Sequence, residues 1–435
     1  MPTRRRFIAS TLAAAAARPA LARTIRTLGL ADDRPCLDAA LAAERFIRRS
    51  RVTTGAGVAW PADPLKPDSI SPDLYNGMAG VIPFYLELWK ATGREEFLRE
   101  AELGVRELLT RAGDDSGLYT GLAGTVWVTE RTTTLGGKRE LAADARRLGN
   151  DLVARAQAVG QGAAWNESTD IISGSSGIGL ALLHLDRVLE LPGARDAAVR
   201  AGAHLLELGQ PDSGGLTWLM TSTFKRNMPN FSHGTAGVGY FLARLHKVTG
   251  DAKFREGAEA AARYLMAISV EKGDGRVIRH HDGDGENLFY LSWCHGPAGT
   301  ARLFHELASQ GNTAMGAWVP KLARGISAMG VPKRSPGFWE NISQCCGNAG
   351  VIQFALDQKN LDYAKTVTAD LVSRATRDDD ALKWVQAENR VSPDQVVAQT
   401  GFMQGAAGVG TVLLHLDAAE RGARWEVTFP DSPWA

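Results

Sequence analysis

Apolar residues in this chain gather in runs that recur. Val81-Ile82-Pro83-Phe84-Tyr85-Leu86, Ile178-Gly179-Leu180-Ala181-Leu182-Leu183 and Val238-Gly239-Tyr240-Phe241-Leu242 carry no polar stripe, as expected of helices buried on most faces. Between such runs lie stretches such as 194–208 and 252–266, rich in Ala, Arg and Glu, which read as amphipathic helices. Strand signals are scarce. The alternation predicts helical hairpins, each with a buried inner helix and a half-exposed outer one. A single hairpin of this kind cannot bury its own apolar face, so neighbours must stack.

A small-residue signature marks the runs. G-x-x-G occurs at Gly77-Met78-Ala79-Gly80, Gly121-Leu122-Ala123-Gly124, Gly174-Ser175-Ser176-Gly177, Gly234-Thr235-Ala236-Gly237, Gly296-Pro297-Ala298-Gly299, Gly347-Asn348-Ala349-Gly350 and Gly405-Ala406-Ala407-Gly408. The first glycines are 44, 53, 60, 62, 51 and 58 residues apart. One copy is common by chance; seven at similar intervals identify a repeat. Glycine suits the start of a buried helix where the chain turns tightly and backbones approach closely. Seven hairpins closing on themselves predict an all-α (α/α)7 toroid over residues 73–435, with its glycine turns gathered at one end.

The segment ahead of the repeats divides in two. Thr3-Arg4-Arg5-Arg6-Phe7-Ile8, the alanine-rich run 9–17 and Ala20-Leu21-Ala22 match the three parts of a twin-arginine export signal cleaved after residue 22. Residues 23–72 are expected to hold one helix, reaching about Ser50, and a linker rich in Gly and Pro. Cys36 in that helix reads as a small core hydrophobe. Removing residues 1–22 takes four arginines and no acid, leaving 45 basic and 48 acidic residues. No basic stripe points to nucleic acid. No run reaches the ~18 apolar residues of a membrane span. The expectation is an exported, periplasmic monomer.

Chemistry concentrates in the residues just before each G-x-x-G. Those immediately before are Asn76, Thr120, Ser173, His233, His295, Cys346 and Gln404, with Cys294 and Cys345 one step earlier. Three thiols on converging turns meet the softness and ligand count of a catalytic zinc site with one open position. The competing reading is a disulfide, since an exported chain with four cysteines can pair them. Adjacent Cys345 and Cys346 would make a strained bond, whereas Cys294 with Cys345 is not excluded. His233 suits acid/base work near neutral pH. Asp170 fits either an acid/base role or the N-cap of the helix near Gly174.

Trp293-Cys294-His295-Gly296 and Cys345-Cys346-Gly347, supported by Asp170-Ile171-Ile172-Ser173-Gly174 and Ser232-His233-Gly234, resemble the LanC family of lanthionine cyclases and their LanC-like relatives. The resemblance covers about residues 73–417. It implies a toroid of two concentric rings of seven helices, with zinc held by Cys294 and Cys345. The family's third ligand, usually histidine, falls on Cys346, which implies a three-cysteine variant. Asp170 and His233 match the family's acid/base pair, which deprotonates the incoming thiol and protonates the enolate. Many cyclases carry arginine four residues before the first zinc cysteine and tyrosine just after it. Tyr290 and His295 stand there, so the motif looks more like the LanC-like relatives, with His295 expected behind the ligands.

The partner implied is a peptide or small-molecule thiol, and the reaction is thiol addition to an electrophile. Lantibiotic cyclisation belongs to the cytoplasm in this family, so an exported relative meets a different electrophile or does no cyclisation. Two other readings stay open. One is a non-catalytic zinc-dependent binder of peptides or thiols. The other is a glycan-processing enzyme, which needs two cavity carboxylates; Glu286 and Glu340 are the loop acids to consider. His280 and His281 lie in a polar loop that reads as a solvated turn. His184, His246, His305 and His415 read as core or helix-end residues. Trp127, Trp165, Trp218, Trp293, Trp339 and Trp384 recur near turns, where they line a cleft or simply pack.

Overall fold

The computed structural model describes residues 33–111, 113–331, 341–387 and 396–434. The leader expected over 1–22, together with Trp339 and Glu340, lies outside them. The described chain forms α1 (Pro35–Arg49), α2 (Met78–Thr92), α3 (Glu95–Leu108), α4 (Leu122–Gly136), α5 (Ala142–Ala154), α6 (Ser175–Leu189), α7 (Ala194–Leu208) and α8 (Thr235–Thr249). It continues with α9 (Ala252–Ala267), α10 (Pro297–Ser309), the single turn α11 (Thr313–Gly316), α12 (Trp318–Ala328), α13 (Asn348–Asp357), α14 (Leu361–Ser373) and α15 (Ala406–Glu420).

Seven of these helices, α2, α4, α6, α8, α10, α13 and α15, begin directly after the first glycine of a G-x-x-G. They are buried nearly all round; in α15 every residue from Ala406 to Ala418 is buried. A helix start leaves N–H groups without intrahelical partners, and no side chain caps these seven. The preceding turn does it instead. The first helical N–H donates to the carbonyl seven residues back in Met78→Ser71, Leu122→Asp115, Ser175→Ser168, Thr235→Met228, Asn348→Asn341 and Ala406→Gln399. In α10 the first residue is Pro297, which has no N–H to satisfy.

That fold-back explains the second glycine. A Cβ at Gly177, Gly299 or Gly408 would lie 1.9 Å from the carbonyl oxygen of Ile171, Trp293 or Phe402, each six residues earlier. Gly124 and Gly237 meet Leu118 and Phe231 in the same way, at 2.3 and 2.2 Å. Real Cβ atoms do not come so close.

Two compact units divide the described chain. One comprises residues up to 71, 75–104 and 331–427. Within it α1 and α2 pack on α15, and α13 packs on α14 and α15. The helix expected ahead of the repeats is therefore the outer partner of the last inner helix. Arg34 clamps its start to Asp417 of α15 through Nε and Nη2, at 3.1 and 2.6 Å. Cys36 is 1% exposed; burial first, then Glu420 and Asp417, push its thiol well up, so it packs as a neutral hydrophobe.

The other unit comprises 72–74, 105–330 and 428–435. Inner helices α4, α6, α8 and α10 pack in series, each with an outer partner in α5, α7, α9 or α12. The C-terminal segment belongs to this unit. Phe429 packs at a tilt on Trp127, ring centres 4.5 Å apart, and buried Asp431 accepts from Trp293 Nε1 at 2.9 Å and pairs with Arg302 at 2.9 Å.

Outer helices lead into hairpins with three-residue strands, as in 157–164, 210–217, 270–277 and 376–383. Such strands are too short to show a period of two in sequence. A tryptophan just after three of them reaches back thirteen residues: Trp165, Trp218 and Trp384 donate to the carbonyls of Leu152, Leu205 and Leu371 at 2.7, 2.7 and 2.9 Å. These rings pin each hairpin to its outer helix.

Candidate metal centre

The residues two before each first glycine share one register. They are Tyr75, Tyr119, Ile172, Ser232, Cys294, Cys345 and Met403. Backbone bonds tie neighbouring turns at this level. Tyr119 N–H donates to Ile172 at 2.8 Å and Ser232 N–H to Cys294 at 2.9 Å. In the other unit Cys345 N–H donates to Met403 at 3.0 Å and Met403 N–H to Tyr75 at 2.7 Å. Two cysteines far apart in sequence thus occupy equivalent places in the repeat.

Cys294, Cys345 and Cys346 form a group whose sulfurs all lie within 4.8 Å of one another, and which could hold a metal ion. Cys294 and Cys345 are each 2% exposed, Cys346 is half-buried, and none of the three is in a disulfide, nor is Cys36. The Cys345 and Cys346 sulfurs are 3.3 Å apart. Three sulfur donors fit zinc, and they leave a fourth tetrahedral position open. Tyr75 donates its hydroxyl to Cys345 Sγ at 3.0 Å and accepts from Gln404 Nε2 at 3.0 Å.

Asp170 and His233 meet as a pair. Asp170 Oδ2 lies 2.6 Å from His233 Nδ1, while Oδ1 accepts from the N–H groups of Ser173 and Gly174 at 2.9 and 2.7 Å. The carboxylate is fully buried, and His233 keeps 27% of its side chain exposed. Burial pushes the Asp170 pKa up, but His233 and the two backbone donors outweigh it and hold the group below its ordinary value. A carboxylate ionised there fixes the proton on Nδ1 and leaves Nε2 free to exchange one. Asp170 braces the turn before α6 through Ser173 and Gly174 and lies against His233; the N-cap of α6 is Gly174, and no side chain caps that helix.

His295 is 6% exposed. Its ring lies 5.5 Å from that of His233 and stacks on His280 at 3.9 Å. Burial, followed by the neighbouring imidazoles of His280, His233 and His281, pushes its pKa well down, so it is neutral. The solvated turn expected at His280 and His281 is corrected: they are 3% and 6% exposed, with Nδ1 atoms 2.7 Å apart. The Gly283–Gly285 turn folds them inward, and a Cβ at Gly285 would meet the His281 ring at 2.3 Å. Tyr290 packs edge-on against His280 at 4.5 Å. Glu286, next to the turn, is exposed.

Sequence reasoning missed Tyr75. It stands two before Gly77, as Cys294 and Cys345 stand before their glycines, so aligning the repeats at that position would have found it. The bracing of Trp293 by Asp431 left no such signal, because the C-terminal segment lies outside the repeat.

The architecture is an all-α (α/α) toroid carrying a three-thiol group. A solved structure described as "Nisin cyclase" shares the fold, with TM-score 0.57, 17% identity, and coverage of 88% of this chain and 93% of that one. Two others are similar at lower scores. Cellobiose 2-epimerase from Bacillus thermoamylovorans B4167 has TM-score 0.46, 14% identity and coverage of 67% and 86%. The GH76A α-1,6-mannanase of Salegentibacter sp. HEL1_6 has TM-score 0.47, 12% identity and coverage of 88% and 99%. The family model described as lanthionine synthetase C-like protein matches residues 68–429, and the chain belongs to that family. No curated protein matches it in sequence. No helix among the described residues is long and apolar enough to cross a membrane.

Proposed function

We propose that this protein activates a thiol at a zinc site and adds it to an electron-poor alkene, such as a dehydroamino acid in a peptide. The three-sulfur group within 4.8 Å carries this reading, because three thiolates and an open fourth position suit capture of a fourth sulfur. Family membership and the fold shared with a protein described as nisin cyclase support it. Cys294, Cys345 and Cys346 would hold the metal. Zinc, when bound, supplies a Lewis acid that keeps a substrate sulfur ionised near neutral pH.

The chain's own residues handle the proton. His233, oriented by Asp170 at 2.6 Å, takes the thiol proton at Nε2. The sulfur forms a bond to the alkene β-carbon, the π electrons move to the α-carbon and its carbonyl, and the same proton returns to the α-carbon. Thiol and alkene give one thioether, with nothing oxidised. His295, buried and held neutral, packs beside this pair. The twin-arginine leader implies that the reaction takes place outside the cytoplasm, with the site filled before export.

The test is elemental analysis and free-thiol titration of protein purified from the periplasm, beside the variant Cys294→Ala. One zinc per chain, lost in the variant, with addition of a thiol to a dehydroalanine peptide that vanishes in a zinc-retaining His233→Ala, is the expected result. Missing free thiols and no metal would sink the zinc reading. Metal and peptide binding without turnover would leave a zinc-dependent binder in place of an enzyme.

A further inference from the structure

We infer that Tyr75, oriented by Gln404, is a positioning residue for the metal-binding sulfur of Cys345; the inference rests on the zinc reading above. Tyr75 belongs to the first repeat, which has no thiol at its turn. It occupies the register that Cys294 and Cys345 occupy in theirs. Backbone bonds hold Cys345, Met403 and Tyr75 side by side, at 3.0 and 2.7 Å. This closeness depends on a glycine: a Cβ at Gly401 would lie 2.2 Å from the Asn76 carbonyl oxygen. The turn carrying Tyr75 can therefore approach only because residue 401 has no side chain.

The phenol then reaches past Met403 to the sulfur. Its hydroxyl is 3.0 Å from Cys345 Sγ, and Gln404 Nε2 donates to the same oxygen at 3.0 Å. A hydroxyl has one proton to give. With Gln404 occupying a lone pair, that proton is directed to the sulfur. A donor to a thiolate is charge-assisted and roughly twice as strong as a neutral hydrogen bond. It withdraws negative charge from the sulfur, so three thiolates can share one dication with less mutual repulsion. Groups that bond to metal ligands in this way change metal affinity by about 10- to 100-fold when removed.

The test uses the full chain loaded with Zn2+ or Co2+. Tyr75→Phe removes only the hydroxyl. Gln404→Leu removes its anchor, and Met403→Leu repacks the same level without touching the sulfur's hydrogen bond. Chelator competition should show zinc held about 10-fold more weakly in Tyr75→Phe, less weakened in Gln404→Leu and unchanged in Met403→Leu. The sulfur-to-cobalt charge-transfer band should move in the same order, which a merely structural loss would not produce. Wild-type affinity and an unmoved band in Tyr75→Phe would overturn the inference while leaving the zinc site standing. No metal in the wild type would overturn both. If Tyr75→Phe fails to fold by circular dichroism, Gln404→Leu decides, and a band and affinity equal to wild type would overturn the inference.

Discussion

Asp170→Asn is the substitution that best separates scaffold from chemistry. Asp170 Oδ1 holds the backbone N–H groups of Ser173 and Gly174, and Oδ2 faces His233 Nδ1. Asparagine with its oxygen at the Oδ1 place keeps both backbone bonds and turns an NH2 group toward the imidazole. One bond to a charged group is lost, about 1.5–3 kcal/mol, with part regained if the imidazole changes tautomer. Alanine removes every acceptor and leaves the N–H groups of Ser173 and Gly174 unpaired, at about 1–3 kcal/mol each, besides the lost bond to His233. The expected ladder in urea unfolding at pH 7, followed by circular dichroism, is therefore roughly 1–2 kcal/mol for Asn and 3 or more for Ala. Metal content should survive in Asp170→Asn, because the three thiols are untouched. Thiol addition should nevertheless fall about 10²-fold or more, since the wrong ring nitrogen now carries the proton. Unchanged turnover in Asp170→Asn would refute the orienting role. Equal stability loss for Asn and Ala would refute the view that Asp170 braces its turn.

Two further substitutions test the frame. Gly299→Ala sets a methyl 1.9 Å from the Trp293 carbonyl oxygen and should cost about 3 kcal/mol or more. Gly55→Ala, with nothing within 4 Å of the new carbon, should stay within about 0.5 kcal/mol of wild type in the same unfolding assay. Burial raises the Glu130 pKa, but His184 and Arg131 outweigh it and hold the group at about 2. A carboxylate depressed in the folded state stabilises above its unfolded pKa, about 4.3, and that stability is lost as pH falls toward the folded value. Burial holds His184 below its ordinary value, which leaves Arg131 as the charged partner at pH 7. Glu130→Gln should therefore be less stable there by about 1.5–3 kcal/mol for the lost charge-assisted bond, the gap closing as pH falls from about 4 towards 2; a gap independent of pH would refute the pairing.

The repeat was legible because buried inner helices need apolar residues on all faces, and the close turns before them tolerate only glycine. The thiols were legible because they stand at fixed offsets from those glycines. His280 and His281 misled, since Asp282, Gly283, Asp284 and Gly285 dominate their local composition. The Gly283–Gly285 turn that folds them against His295 is a tertiary fact. Tyr75 carries no chemical mark of its own in the sequence; only its place two before Gly77, equivalent to Cys294 and Cys345 in their repeats, sets it apart. The short hairpins carry too few residues for periodicity, and their tryptophans look like cleft residues until the thirteen-residue reach to a helix carbonyl is seen.

The pairing of α1 with α15 sets the order in which the chain can finish folding. The outer half of the last hairpin is synthesised first and its inner half last, so about 370 residues must be bridged, at a loop-closure cost of about 5 kcal/mol. A chain stopped before residue 406 leaves uncovered the face of α1 that packs on α15. The Arg34–Asp417 clamp brings the start of α1 beside the end of α15. Joining those ends and opening the chain between two repeats would give a circular permutant whose hairpins are all contiguous.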